Sequence, residues 1–92
     1  MGGVKYYYTS GHNNMEIVKQ QRKMEVILVS KEIEFQKIDI SASEDVKAKM
    51  REIADDPKAL PPQLTNDETY CGDFAAFEEA VENDAFEEFI NC

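Results

Sequence analysis

Two hydrophobic periodicities alternate over the first forty residues, and this alternation constrains the fold more than any other feature of the chain. The segment Val4–Tyr8 is apolar and aromatic, which favours a buried strand. From Met15 to about Val29 the chain has neither Gly nor Pro, and apolar residues recur on one face of a helix. Apolar and charged residues then alternate between Ile33 and Ile40, with one phase slip, and predict a second strand. Two such strands joined by a helix lie parallel, with a right-handed crossover.

Polar residues between these segments predict where the helices begin. Asn13 or Asn14 can accept backbone N–H bonds at the start of the first helix. Ser41 and Glu44 have the Ser-x-x-Glu spacing of a capping box, which predicts the start of a second helix. That helix should end before Pro57, which cannot continue it. Its apolar face is expected to comprise Val46, Met50 and Ile53.

The rest of the chain predicts a hairpin followed by two helices. One strand should run through Leu60–Thr65, turn at residues 66–68 and return through Thr69–Cys71. Asp73 precedes apolar residues at helical spacing and should cap the third helix. A last helix is expected to begin at one of two candidate caps, Asn83 or Asp84.

The resulting order of elements is β-α-β-α-β-β-α, with a proline just before the hairpin. An α/β fold with a mixed four-stranded sheet flanked by helices satisfies this order, and the pattern favours the thioredoxin-like, glutaredoxin-like arrangement. A chain of 92 residues has no room for a second core. We therefore expect a single domain over residues 1–92.

The formal charge of -9 arises entirely after Lys58. Ten acids balance all ten Lys and Arg residues up to that position, whereas the nine later acids have no basic counterpart. Such a field repels phosphate backbones and anionic lipids, so we expect neither nucleic acid nor a membrane as partner. The acids either solvate the outer faces of helices or attract a basic partner. No apolar run approaches a membrane span and the N-terminus lacks a signal-peptide layout, so a cytoplasmic location is expected.

The loop after the first strand carries no thiol. Redox enzymes of this fold place Cys-x-x-Cys there, where the helix N-terminus lowers the thiol pKa. The stretch Ser10–Met15 contains no cysteine, which excludes dithiol and monothiol exchange by the usual route. We therefore expect no enzymatic activity and no cofactor.

The remaining candidate groups do not restore that chemistry. Cys71 lies in a predicted strand and is expected to be a small packing residue, while Cys92 is the final residue of the sequence. Their spacing does not match a metal site, and a cytosolic location disfavours a disulfide. His12 stands where a glutaredoxin has its nucleophile, but a lone loop histidine without a partner residue is not expected to be catalytic.

Six short motifs spread over the chain together resemble one known family. They are Tyr7–Ser10, Gln20-Gln21, Asp39-Ile40, Leu60–Gln63, Tyr70–Phe74 and Phe77–Ala80. The chain resembles the SH3-domain-binding glutamic-acid-rich-like proteins, which are similar to glutaredoxins without their catalytic cysteines. The resemblance implies a thioredoxin fold, a cytoplasmic or also nuclear location, and a role as adaptor or modulator that binds protein partners. A monomer is expected.

The resemblance also implies a functional surface. It implies a cis peptide before Pro62, beside the former active-site loop. The candidate residues of this partner surface, or vestigial glutathione surface, are Gly11, His12, Leu60, Pro61, Pro62, Gly72 and Asp73. Weak glutathione binding, or glutathione-linked redox regulation, is the alternative function. It is opposed by Thr9, which stands where glutaredoxins place a lysine.

The family name further implies SH3 or EVH1 domains as partners, recognised through a proline-rich motif. This sequence departs from that motif. Ala59 replaces its first proline, and Leu64-Thr65 replace the Ile-Phe pair. A proline that starts a strand also cannot lie as an open left-handed helix in an aromatic groove. We therefore expect Pro61 and Pro62 to serve the fold rather than a polyproline contact.

Overall fold

The computed structural model describes residues 3–11, 14–67 and 69–91, and it confirms the predicted order of elements. Within these ranges the strands are β1 (Val4–Tyr8), β2 (Phe35–Asp39), β3 (Gln63–Asn66) and β4 (Thr69–Asp73), and the helices are α1 (Met15–Ser30), α2 (Glu44–Ala54), α3 (Phe74–Glu82) and α4 (Phe86–Ile90). A short 3-10 turn, Ile40–Ala42, lies between β2 and α2. None of the described helices is long and apolar enough to cross a membrane.

The strands form one mixed sheet in the order β2-β1-β3-β4. β1 is parallel to β2 and antiparallel to β3, so that Tyr6 lies between Lys37 on one side and Leu64 on the other. β3 and β4 form the expected antiparallel hairpin, with a register shift between Leu64 and Thr65. The predicted mixed four-stranded sheet flanked by helices is thus confirmed.

Successive side chains of β1 enter two separate cores, because neighbouring residues of a strand point to opposite faces. Tyr6 packs under α1, α3 and α4, while Tyr7 packs under α2. Each buried aromatic side chain of this kind contributes roughly 1.5–3 kcal/mol. The larger core comprises Tyr6, Met24, Leu28, Leu64, Phe77, Phe86 and Ile90, and the smaller comprises Tyr7, Ile40, Met50 and Ala59.

Two of the predicted helix caps are confirmed. The side-chain oxygen of Asn14 accepts the backbone N–H of Glu16 at 2.9 Å, and that of Asp73 accepts the N–H of Ala76 at 3.0 Å. Both caps use N–H groups that the helix itself leaves unpaired. Asn13, the other candidate at the first helix, lies outside the described residues.

The predicted capping box at the second helix is wrong. Ser41 belongs to the 3-10 turn, where its backbone N–H and its hydroxyl both donate to the Asp39 carboxylate at 2.9 and 2.7 Å. The cap of α2 is Ser43, whose hydroxyl accepts the N–H of Asp45 at 3.1 Å. The carboxylate that precedes Ser41 thus competes with the helix end for it, which spacing alone does not reveal.

The predicted second strand is too long at both ends. Glu32 ends α1 with a φ of 57°, and the N–H of Ile33 donates to the Leu28 carbonyl at 3.2 Å. Ile33 therefore closes the end of the helix instead of pairing in the sheet. At the other end Ile40 already belongs to the 3-10 turn. The phase slip in the pattern lies within the regular strand, because Phe35 packs against the larger core and Ile38 packs against the smaller core on the opposite face of the sheet.

Both candidate caps of the last helix, Asn83 and Asp84, are wrong. Asn83 is the C-cap residue of α3. Asp84 has a φ of 55°, and its N–H donates to the Val81 carbonyl at 3.2 Å, so it completes the end of α3. The residue at the cap position of α4 is Ala85, which makes no side-chain capping bond. α4 is therefore held by the packing of Phe86 and Ile90 in the larger core.

Candidate functional site

A pocket of about 460 Å³ lies where the N-terminus of α1, the end of α2 and the start of α3 meet the sheet. The Pro61–Pro62 peptide bond in its wall is cis, as the resemblance implies. We call this cavity the cis-proline pocket. Its lining residues are Asn14, Glu16, Ile17, Gln20, Ala54, Asp56, Lys58, Ala59, Leu60, Pro61, Pro62, Gln63, Tyr70, Asp73, Phe74 and Ala75.

The structure brings four of the candidate site residues together in this pocket, namely Leu60, Pro61, Pro62 and Asp73. Gly11 is not among the lining residues. A Cβ at Gly11 would lie 3.7 Å from the Ser41 side chain, so this glycine borders the ends of β1 and β2. His12 lies outside the described residues.

Gly72 serves the packing of the last helix rather than the pocket. It is buried, has a φ of 157°, and a Cβ there would lie 2.8 Å from a ring carbon of Phe89 and 2.9 Å from Cβ of Ala76. An L side chain rarely adopts this backbone conformation, and there is no room for one. Glycine at this position lets α4 and the start of α3 approach β4 closely.

The proline segment is largely enclosed. Pro61 is buried and Pro62 is among the fully buried side chains, whereas Leu60 is 55% exposed. Pro62 stands immediately before β3, a place where a residue without an N–H breaks no ladder hydrogen bond. The side chain that this segment offers to an approaching molecule is therefore that of Leu60.

Gln63 provides a polar group at the buried side of the pocket. It is only 4% exposed, and its Nε2 donates to the Leu60 carbonyl oxygen at 2.7 Å. A carbonyl oxygen can only accept, so this bond fixes which end of the amide is the nitrogen. The other end, Oε1, is buried and has no hydrogen-bond partner among the described residues. The pocket wall thus contains an acceptor with unused capacity.

Carboxylates dominate the charge of the pocket. Glu16, Asp56 and Asp73 line it, and Lys58 is the one cation among the described lining residues. Tyr70 is half-buried beside them. Burial, followed by the negative charges of Asp73 and Asp56, raises the pKa of the Tyr70 phenol, so its hydroxyl stays protonated at neutral pH. The pocket is therefore acidic and carries a neutral phenol.

Thr9, which directly follows β1, is held in place by a buried glutamine of α1. The N–H of Thr9 donates to Oε1 of Gln21 at 2.8 Å, and Nε2 of Gln21 donates to the carbonyl oxygen of Thr9 at 3.2 Å. Both residues are 8% exposed. The hydroxyl of Tyr6 also donates to the backbone carbonyl of Gln21 at 3.0 Å, and burial raises the pKa of this phenol. One side chain thus pairs both backbone groups at the end of β1.

A second polar cluster joins the ends of the two parallel strands. Ser10 donates to the Asp39 carboxylate from its N–H at 3.2 Å and from its hydroxyl at 2.5 Å. Together with the hydroxyl of Ser41, these bonds lower the pKa of Asp39 to about 2. The carboxylate is therefore a fixed acceptor, and both serine hydroxyls are directed at it. This arrangement positions the loop, and the strongly acidic Asp39 carboxylate is a poor base for activating either serine.

Cys71 does not supply a free thiol. It is partly buried against the larger core, and its Sγ lies 3.9 Å from the carbonyl oxygen of Ile90. The structure holds Cys71 in a disulfide, which contradicts the expectation drawn from cytosolic redox conditions. Cys92, the other cysteine of the sequence, lies outside the described residues.

A separate groove of about 630 Å³ runs along the outer side of α1. Val26 and Val29 line it and are 60% and 62% exposed. Lys37 closes one side, with Nζ 4.7 Å from the Tyr8 ring centroid and 3.1 Å from a carboxylate oxygen of Glu25. We call this cavity the α1 groove, and it serves as a control surface for the cis-proline pocket.

Among the described residues, no group of His, Cys, Asp and Glu side chains is arranged to hold a metal ion.

Sequence reasoning missed several residues of the site. Gln63, Tyr70 and Asp56 line the pocket but were not among the candidates. The available signal for Gln63 was its place in the motif Leu60–Gln63, which also contains the two wall prolines. The burial of Gln21 gave no such signal, since it depends on the backbone of a residue twelve positions away.

Comparison with known proteins identifies the relatives of this chain. The family described as SH3-binding, glutamic acid-rich protein matches residues 2–92. The SH3 domain-binding glutamic acid-rich protein homolog of Drosophila melanogaster is 36% identical over 99 residues, which is 95% of this chain and 63% of that protein. The chain thus spans less than two thirds of the length of this relative.

Solved structures with the same fold include an actin interacting protein of C. albicans, with a TM-score of 0.79 and 21% identity over 97% of this chain and 88% of that one. A buckwheat glutaredoxin, solved as a complex with glutathione, has a TM-score of 0.71 and 8% identity over 98% of this chain and 77% of that one. Identities this low show the fold alone. The predicted thioredoxin-like fold is confirmed.

Proposed function

Because the chain belongs to the family of SH3-binding, glutamic acid-rich proteins, we propose that it is a non-catalytic adaptor or modulator that binds another protein through the cis-proline pocket. One observation carries this proposal. The pocket is formed around Pro62, while the neighbouring loop Ser10–Met15 contains no cysteine. Such a site can bind a partner, but it has no thiolate with which to exchange a disulfide. We place this activity in the cytoplasm and also in the nucleus.

The mode of binding differs from the one that the family name suggests. A polyproline ligand must present its prolines to an aromatic groove. Here Pro61 and Pro62 are buried, which supports a contact through the folded surface with Leu60 as its exposed apolar side chain. An SH3 or EVH1 domain, if it is the partner, would then bind this surface without unfolding the segment.

Affinity capture with matched variants tests the surface. Leu60→Ser and Val26→Ser each shorten one side chain that is more than half exposed, the first at the cis-proline pocket and the second in the α1 groove. Loss of a central apolar anchor costs about 2 kcal/mol, or about thirtyfold in affinity. We expect quantitative mass spectrometry to find a partner that Leu60→Ser loses and Val26→Ser retains. A partner lost only with Val26→Ser would move the function to the α1 groove, and partners indifferent to both variants would contradict the proposal.

A turnover assay with glutathione as the reductant tests the proposal that the chain is not a catalyst. The purified chain should reduce a small mixed disulfide at the rate of glutathione alone, because the loop offers no nucleophile. Multiple turnovers above that rate would refute a purely binding role.

Weak glutathione binding is the second candidate function. It is favoured by Pro62 and by the capped N-terminus of α3, which lie at one pocket. Charge opposes it, because glutathione is an anion at neutral pH and carboxylates outnumber the one lining cation. Titration of the isotope-labelled chain with glutathione decides between these effects. We expect the amide resonances of Gln63 and Asp73 to remain unmoved at millimolar ligand, and saturable shifts there would favour this second function.

A further inference from the structure

The charge of the cis-proline pocket selects among possible occupants. Glu16, Asp56 and Asp73 line it against Lys58, so the charged side chains of the lining carry a net negative charge. In a partly enclosed site, net negative charge of the side chains favours a cation and disfavours an anion. Asp56 and Asp73 also use only part of their capacity within the fold. One oxygen of each accepts a backbone N–H, from Lys58 at 2.9 Å and from Ala76 at 3.0 Å.

A second, independent observation is that the pocket wall contains a hydrogen-bond acceptor without a donor among the described residues. Gln63 is 4% exposed, and the bond of its Nε2 to the Leu60 carbonyl leaves Oε1 as a buried acceptor without a partner among the described residues. A buried acceptor without a donor is costly in free energy, and a ligand that donates to it recovers that cost. Charge and hydrogen bonding therefore select the same chemistry, a cation that carries N–H groups.

We propose that the cis-proline pocket binds a lysine or arginine side chain from a basic segment of the partner protein. The cationic head group donates to Oε1 of Gln63 and lies among the carboxylates of Asp56 and Asp73. This inference rests on the proposed function, because it names the chemical class of the partner at that same site.

The other walls of the pocket suit such a side chain. Leu60, Pro61 and Phe74 supply apolar surface for the methylene stem, which long basic side chains bury while the charge stays at a polar site. The neutral hydroxyl of Tyr70 adds a lone pair that can accept a further N–H. A volume of about 460 Å³ also falls in the range of roughly 300–1,000 Å³ typical of ligand sites, so the adjoining peptide backbone fits as well.

Short peptides test the chemistry directly. The probes are four blocked pentapeptides that differ only at the central residue, which is arginine, lysine, citrulline or glutamate, with free arginine as a fifth probe. Each is titrated into the full isotope-labelled chain up to roughly 5 mM, a range that detects binding with a Kd of about 1 mM. We expect the arginine and lysine peptides to shift the side-chain amide resonance of Gln63 and the backbone amide of Asp73, and the citrulline and glutamate peptides to leave them unmoved.

Variants that replace carboxylates by neutral amides test whether the peptide binds at the cis-proline pocket. Asp56→Asn with Asp73→Asn removes two charges but keeps oxygens that can accept both backbone N–H bonds. Asp67→Asn with Asp84→Asn is the matched control, because it removes two charges from exposed positive-φ positions that asparagine tolerates and that do not line the pocket. We expect the pocket variant to bind the arginine peptide about fivefold more weakly and the control to bind it within about twofold of the wild type.

The outcomes separate this inference from the proposed function. Equal binding of the citrulline and arginine peptides, or equal weakening by the control variant, would overturn the basic-segment inference. If a captured partner still depended on Leu60 in that case, the adaptor function would stand with a different ligand chemistry. If no partner depended on Leu60, the proposed function itself would fail. Binding of free arginine as tight as that of the peptide would assign the pocket to a small molecule and overturn the inference as well.

Discussion

Gln21→Met provides the sharpest test of how the fold supports its pocket. The substitution keeps an unbranched side chain of similar length and helix propensity, so neither volume nor α1 itself changes much. It removes the amide that donates to the Thr9 carbonyl and accepts the Thr9 N–H. Both backbone groups belong to a residue that is 8% exposed, so water does not readily replace the amide.

The expected loss in the free energy of unfolding follows from these two lost hydrogen bonds. A buried backbone group left without a partner costs about 1–3 kcal/mol, and the better transfer of methionine offsets about 1–2 kcal/mol of the total. We therefore expect the free energy of unfolding to fall by about 2–4 kcal/mol, out of the roughly 5–14 kcal/mol typical of a chain this long. Urea unfolding followed by circular dichroism measures the loss. Amide exchange of Thr9 should also accelerate more than that of residues in β3.

Gln20→Met is the matched control, because Gln20 is a half-buried neighbour on the same helix. We expect it to change stability by less than about 0.5 kcal/mol. A Gln21→Met protein within that same margin of the wild type, or equal to the control, would refute the reasoning that the glutamine holds the end of β1.

Two further perturbations test the packing and the electrostatics of the site. Gly72→Ala should lower the free energy of unfolding by about 2–4 kcal/mol, because it strains the backbone and drives a methyl group into the Phe89 ring. A loss below about 0.5 kcal/mol in urea unfolding would contradict this close approach. Asp39→Asn should lower the free energy of unfolding above pH 4. The hydrogen bonds that lower the Asp39 pKa to about 2 stabilise the fold only when the carboxylate is ionised, so their contribution is lost as the pH falls from about 4 to 2. Urea midpoints across this range should therefore converge for wild type and variant, whereas a constant difference would exclude the ionised carboxylate as the cause.

The sequence predicted those features that depend on local pattern. Asp73 lies directly before an apolar run of helical period, and its cap formed as expected. Ser41 had equally good spacing, but the preceding Asp39 accepts both its N–H and its hydroxyl, so the cap moved to Ser43. Asp84 likewise ends one helix instead of starting the next. Local patterns fail where two neighbouring groups compete for one donor.

The site was harder to predict, because its distinguishing residues are polar and buried. Composition assigns a glutamine to the surface, yet Gln21 and Gln63 are both enclosed by contacts with backbone groups. Those backbone groups come together only once β1, α1 and the proline segment have packed. The disulfide at Cys71 was missed for a related reason, since the argument against it used the compartment and not the fold.

The position of Gln63 in a central strand has a thermodynamic consequence for recognition. Its backbone is paired on both sides, with β1 and with β4, and the orientation of its amide is set by Leu60. Because this acceptor is pre-organised, little conformational entropy is lost there when a ligand binds, and rigid sites of this kind retain more of their gross interaction energy as affinity. Calorimetry of the arginine peptide should accordingly show a favourable enthalpy with only a small entropic penalty from the protein.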